Sequence, residues 1–150
     1  LCWSADQETF YYIDSTKKKI RAFDLNPETF ELSNRRSVFQ VEQTNVYPDG
    51  MCIDLDGNIW LALWNGFAVV CIDPISGEVI NTIDVPCAKV TSCCFGGEAY
   101  DELYITTSSK GMSEKDWAKY PDSGKVFRTK PGVIGLPADR YGKNGGHTKF

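Results

Sequence analysis

The sequence holds a single histidine, His147, and no C-x-x-C pair. A zinc site of thiolates and imidazoles therefore has almost nothing to build on. No apolar run approaches the ~20 residues that a membrane-crossing helix needs, and no secretory signal pattern opens the chain. There is no N-x-S/T glycosylation acceptor. G-x-S-x-G is absent, and the one histidine stands in a Gly-rich tail, which argues against a Ser-His-Asp triad. No Gly-rich stretch follows a strand and opens a helix, as a phosphate cradle requires. Basic residues are outnumbered: 16 Lys and Arg against 20 Asp and Glu give a net charge of −4. General affinity for nucleic acid or for an anionic membrane is therefore not expected. Helical periodicity is nearly absent.

What is present is an ordinary globular composition, 42% hydrophobic and 24% charged, which excludes a disordered chain. The 150 residues allow one domain with a real core, read as a single unit over 1–150 with a mobile tail over 141–150. The chain starts with Leu inside an apolar run, so a processed form or a fragment is expected. Cys2, Cys52, Cys71, Cys87, Cys93 and Cys94 lie mostly inside apolar runs rather than loops. They read as reduced, buried thiols of an intracellular, cytoplasmic protein.

Short β-rich runs separated by Gly, Asp, Asn and Pro clusters predict an all-β fold. Strands are expected at 1–4, 10–14, 20–25, 36–41, 51–54, 59–64, 68–72, 79–85, 90–95, 103–107 and 125–128. A polar insertion over 108–122 has room for one short helix near Glu114 to Ala118. Lys17, Lys18 and Lys19 form a solvated turn.

The runs repeat. Leu1-Cys2-Trp3-Ser4, Met51-Cys52-Ile53-Asp54 and Cys93-Cys94-Phe95-Gly96 are each followed by a turn and an aromatic-bearing strand. The tetrads begin 50 and 42 residues apart. Four-stranded units of that length are β-propeller blades, and three are visible. Closure takes ~4 to 8 blades, so the chain is expected to be part of a larger ring. In this register Asp49, two residues before Met51, corresponds to Thr91, two before Cys93. Both should open onto a shared channel, which makes Thr91 a candidate channel-lining hydroxyl.

The motifs, taken in order, are Trp3-Ser4-x-Asp6, Tyr11-Tyr12-x-Asp14, Pro48-Asp49-Gly50, Asp56-Gly57-Asn58-x-Trp60, Asp73-Pro74-x-x-Gly77, and Phe95-Gly96-Gly97 with Leu103-Tyr104-x-Thr106. From Leu1 to about Gly135 the chain resembles the C-terminal half of the regucalcin, gluconolactonase and senescence-marker-protein family, which includes insect luciferin-regenerating enzymes. The resemblance implies a six-bladed propeller with one divalent metal in the channel, calcium, zinc, manganese or magnesium. It implies hydrolysis of sugar lactones or related esters, or a calcium-linked role. The family's metal is held by a Glu of the first blade, the Asn of Asn-Gly-Leu-x-Trp-Ser, and the Asp of Pro-Asp-Gly. Asp49 matches the last. The Asn would lie two residues before Leu1, and the Glu belongs to the missing N-terminal half, which is needed to close the propeller.

On the residues alone, Asp49 reads first as an Asx-type turn cap before a strand. The resemblance makes it a metal ligand and the catalytic base that deprotonates water for attack on the carbonyl. Asp54 and Asp56 suggest a calcium loop, but Gly57 comes too early for the EF-hand pattern and a hairpin turn fits better. Asp14, Asp24 and Asp73 are read as turn-shaping residues. Trp3, Trp60, Trp64, Tyr11 and Tyr12 are expected to pack between blades, with Trp64 as an alternative carbohydrate platform. Cys93 and Cys94 should point to opposite faces of one strand. The leading reading is a metal-dependent lactonase-like hydrolase acting on a small-molecule lactone or ester. Its alternatives are a non-catalytic calcium-binding or interaction propeller, a luciferin-regenerating type of enzyme, and a truncated product without its own function.

Overall fold

Alternation of apolar and polar residues, interrupted by turn residues every few positions, builds three antiparallel sheets in the computed structural model, which describes residues 1–138. The first sheet is β1 (Cys2–Trp3), β2 (Thr9–Asp14), β3 (Lys19–Leu25) and β4 (Leu32–Gln40), paired in chain order. The second repeats the pattern with β5 (Tyr47–Ile53), β6 (Ile59–Trp64), β7 (Ala68–Ile72) and β8 (Val79–Asp84). The third pairs β9 (Val90–Gly96), β10 (Glu102–Thr107) and β11 (Val126–Thr129). Between β10 and β11 lies the insertion with its short helix α1 (Glu114–Lys119). These are three consecutive propeller blades, and β1, β5 and β9 are their first strands. The expected mobile tail over 141–150, with His147, lies outside the described residues.

Strands β6 and β7 of the middle blade are buried on both faces, which explains why they read as continuous apolar runs. Ile59, Leu61 and Leu63 of β6, with Val70 and Ile72 of β7, pack against Tyr11, Ile20 and Ala22 of the first blade. Trp60, Ala62, Val69 and Cys71 turn the other way, onto Val90, Cys93, Leu103 and Ile105 of the third. Period-2 alternation thus supplies two inter-blade cores from one sheet. Fully burying Ile59 and Leu61 contributes roughly 1.5–3 kcal/mol per side chain.

The same alternation places two of the expected packing residues on the first blade's other face, which has no partner blade among the described residues. Tyr11 faces the second blade, so its neighbour Tyr12 points away and is 42% exposed. Trp3 is also 42% exposed. It stacks within its own sheet on Phe10 at 5.3 Å between ring centroids, and Phe10 stacks on Phe23 at 6.2 Å. Trp60 and Tyr11 do pack between blades, and Trp60 meets Phe95 edge-on at 5.8 Å.

Two strands begin four residues earlier than expected. β4 starts at Leu32, where alternation fails because that strand is almost wholly exposed. β5 starts at Tyr47, so Pro48-Asp49-Gly50 is not a turn before a strand but part of the strand itself.

Candidate functional site

Asp49 sits on a bulge. Pro48 pairs with Leu63 and Met51 with Leu61, so Asp49 and Gly50 together oppose the single residue Ala62. Pro48 cannot donate to a ladder, and bulges are where sheets tolerate proline. Gly50 is required by its neighbour: a Cβ there would fall 2.2 Å from Ser92 Oγ and 2.7 Å from Ser92 Cα. The first strands of the second and third blades therefore approach closely at Gly50 and Ser92. Asp49 and Thr91 each stand one residue from that contact.

The Asp49 carboxyl is half-buried, and burial alone pushes its pKa above the ordinary carboxylate value. Among the described residues it forms no ion pair or side-chain hydrogen bond. This separates it from the turn-shaping aspartates. Asp14 accepts from Thr16 Oγ1 at 2.9 Å and Lys17 N at 3.1 Å. Asp73 accepts from Ile75 N at 2.8 Å and Ser76 Oγ at 2.9 Å. Asp24, read as another turn residue, instead accepts from Asn34 and Arg36 across the β3–β4 pair. Asp49 makes no such bond, so it is not an Asx cap.

Asp54 belongs to the hairpin, as its spacing suggested. It is 1% exposed and accepts from Asn58 N at 2.8 Å and Trp60 Nε1 at 2.9 Å. Asp56 is exposed in the turn beside Gly57, whose φ is +85°. The Asp54 oxygens are thus engaged in holding β5 to β6.

Thr91 is half-buried, and its hydroxyl lies 2.7 Å from the Thr106 hydroxyl across the β9–β10 pair. Trp64 bears Lys89 Nζ 5.5 Å from its ring centroid, so one face of the suggested carbohydrate platform is covered. Trp64 also pairs with Tyr47 at the Asp49 end of β5 and bridges to Lys89. Lys89 Nζ donates to Lys110 O and ties the insertion to this end of the blade. A small cavity of about 170 Å³ lies there among Asn65, Lys89, Ser108, Asp116 and Tyr120. The sequence reading passed over Lys89. The available signal was its position two residues before Thr91 at the mouth of β9.

The larger cavity, about 450 Å³, is bordered by Cys2, Trp3, Met51, Cys52, Cys93 and Cys94. Asp49 is not on its wall. The segment after β11 closes one side, with Leu136 N donating to Ile53 O at 3.0 Å and Gly135 bridging to Asp54. Among the described residues no three His, Cys, Asp or Glu side chains converge to hold a metal ion. Asp49 offers a hard cation one carboxylate.

Residues 1–109 match the family model described as the SMP-30/Gluconolactonase/LRE-like region. The chain belongs to this family. It is 44% identical to regucalcin from Bos taurus over 142 residues, which cover 94% of this chain and 48% of that protein. It thus spans about half the length of the curated relatives it matches. A solved luciferin-regenerating enzyme superposes with a TM-score of 0.80 at 38% identity, covering 91% of this chain and 46% of that one. A gluconolactonase from Xanthomonas campestris superposes with a TM-score of 0.58 at 28% identity, covering 70% of this chain and 33% of the other. Among the described residues no helix is long and apolar enough to cross a membrane.

Proposed function

We propose that this family member is the C-terminal portion of a metal-dependent, lactonase-like hydrolase acting on sugar lactones or related esters, in a six-bladed ring. The observation that carries the reading is the Asp49 carboxyl. It is partly desolvated, without a protein partner among the described residues, and set on a bulge of the middle blade's first strand. A half-buried carboxylate with no donor beside it carries a desolvation cost that no hydrogen bond offsets, which suits a residue kept for a ligand rather than for the turn.

Asp49 fits a divalent ion as one oxygen ligand, with the remaining ligands contributed by the upstream half. The chemistry such an ion supplies when bound is Lewis-acid polarisation of an ester carbonyl. Asp49 takes a proton from water on one carboxylate oxygen, and its raised pKa moves it toward the range useful to a general base near neutrality. Pro48 and the Gly50–Ser92 contact hold the carboxylate at the strand's mouth. Thr91, engaged with Thr106, lines the adjacent strand as a neutral hydroxyl. The six free cysteines suit a reducing compartment, so the cytoplasm is part of the same proposal.

The test joins this chain to an upstream half that completes the ring and measures aldonolactone hydrolysis with and without divalent metal. Metal-dependent turnover that falls at least ~100-fold in Asp49→Ala, within the range typical for loss of a general base, supports the reading. A folded protein that binds metal and turns over no lactone overturns it in favour of a binding propeller.

A further inference from the structure

Four cysteines border the 450 Å³ cavity, and they come from all three blades. Cys2, Cys52 and Cys94 occupy the same place in the repeat, the second residue of each tetrad. The closest approach, however, pairs Cys52 with the neighbouring residue Cys93. Their sulfurs lie 3.7 Å apart, although 41 residues separate them in sequence. Strand alternation explains the choice of partner. Cys93 turns into the core between the second and third blades and is 4% exposed, whereas Cys94 faces outward and is exposed. The Cys93 thiol also lies 3.2 Å from Trp60 O, to which it donates. This bond fixes its rotamer with the sulfur directed at Cys52. Cys52 is only partly buried and opens onto the cavity, which gives a small oxidant access to one member of the pair.

We propose that Cys52 and Cys93 form a reversible disulfide that staples the first strand of the second blade to the first strand of the third. A disulfide needs a sulfur separation of about 2.05 Å, so the pair must close by less than about 2 Å. The oxidant is a peroxide. Cys52 attacks one peroxide oxygen and becomes a sulfenic acid, releasing one water from hydrogen peroxide. Cys93 then attacks the Cys52 sulfur, the S–S bond forms, and the sulfenic oxygen leaves as a second water. Two thiols lose two electrons and two protons in all, and the peroxide takes both. The neighbouring Cys93 thiol and burial keep Cys52 protonated, so closure is slower than for an exposed thiol. The same burial shields the closed bond from bulk reductants. The staple joins the strand carrying Asp49 to the strand carrying Thr91, on the cavity side of the Gly50–Ser92 contact.

The experiment treats the complete polypeptide that carries this chain with hydrogen peroxide, quenches it, and maps the digest by tandem mass spectrometry. The expected product is a crosslinked peptide with fragment ions placing the bond between Cys52 and Cys93. It should be lost on dithiothreitol treatment and retained in Cys94→Ser. Cys52→Ala and Cys93→Ala should each abolish it. The wild-type fragment ions locate the bond without either variant, so a misfolded variant does not void the test. The oxidised protein should melt about 3–6 °C above the reduced one, the range that typical disulfide stabilisation gives in a polypeptide about twice this length. A bond located at Cys94 or Cys2 overturns the proposal. So does oxidation that runs to sulfinic acid at Cys52 with no crosslink. So does a melting temperature unchanged by the crosslink.

Discussion

At the scale of single residues, Asp49 is held without the bonds that normally favour a carboxylate's charge, and this has a pH signature. Burial raises its pKa in the folded chain. Its stability contribution is therefore complete below the unfolded pKa of about 3.9 and is lost as pH rises through the higher folded value. Asp49→Asn removes that loss. In metal-free buffer the variant should melt above the wild type at pH 7, with the difference closing as the pH falls below about 4. In the protein joined to an upstream half that supplies the remaining ligands, saturating calcium should reverse the order at pH 7, because an ion bound only to the folded wild type stabilises it by mass action. Scanning calorimetry in the two buffers checks both signs. The neighbouring glycine makes a second residue-scale prediction. A methyl group at Gly50 would meet the Ser92 backbone at 2.7 Å, which no side-chain rotation relieves. Gly50→Ala should cost about 3 kcal/mol, the upper end of ordinary overpacking, measured as a shift in the urea midpoint.

At the scale of elements, the strands were legible and their ends less so. β6 and β7 fall where the sequence pattern places them because their apolar runs are bounded by turn residues on both sides. β4 extends four residues earlier than expected, since cross-strand hydrogen bonds to β3 continue where the side chains no longer alternate. β5 hides its start in Pro-Asp-Gly, a tripeptide that normally signals a turn and here forms a bulge. Helix α1 was legible from its polar insertion, and its stability is local. Ser113 accepts from Asp116 N while the Asp116 carboxylate accepts from Ser113 N, a complete capping box, and none of the helix's own residues is buried. Six residues are far too few to be helical unaided. Ser113→Ala should therefore cost about 1 kcal/mol locally. Amide exchange should speed up over residues 116–120, with the global unfolding midpoint unchanged.

At the scale of the whole molecule, two inter-blade cores flank the middle sheet, and the outer face of the first blade has no such partner among the described residues. That face carries the Trp3, Phe10 and Phe23 ladder. The 150-residue chain alone should therefore self-associate, as exposed apolar faces and open blade edges do. Joining an upstream half should give a monomer and shift Trp3 emission to the blue. Light scattering and fluorescence of a variant with Trp3 as its sole tryptophan check this. An unshifted Trp3 in the joined protein would show that the preceding blade does not cover the ladder.

The sequence by itself determined the blade count, the strand order and the family. The blades and their strands rest on local signals, namely alternation, turn residues and a repeated tetrad, and the family rests on the resemblance of six motifs taken in order. It also singled out Asp49, through motif resemblance rather than chemistry, because a lone aspartate in a turn-like tripeptide looks the same whether it caps a turn or awaits a ligand. Only the tertiary structure removed the turn cap. It showed Asp14 and Asp73 accepting backbone amides while Asp49 accepts none. It also decided that Asp54 is spent on Trp60, that Gly50 is dictated by Ser92, and that Cys52 meets Cys93 rather than its repeat counterpart Cys94. Each of these is a contact across a turn or between blades. A one-residue bulge or a strand's facing sets such a contact, and the local pattern of residues does not encode which neighbouring strand will be there to meet it.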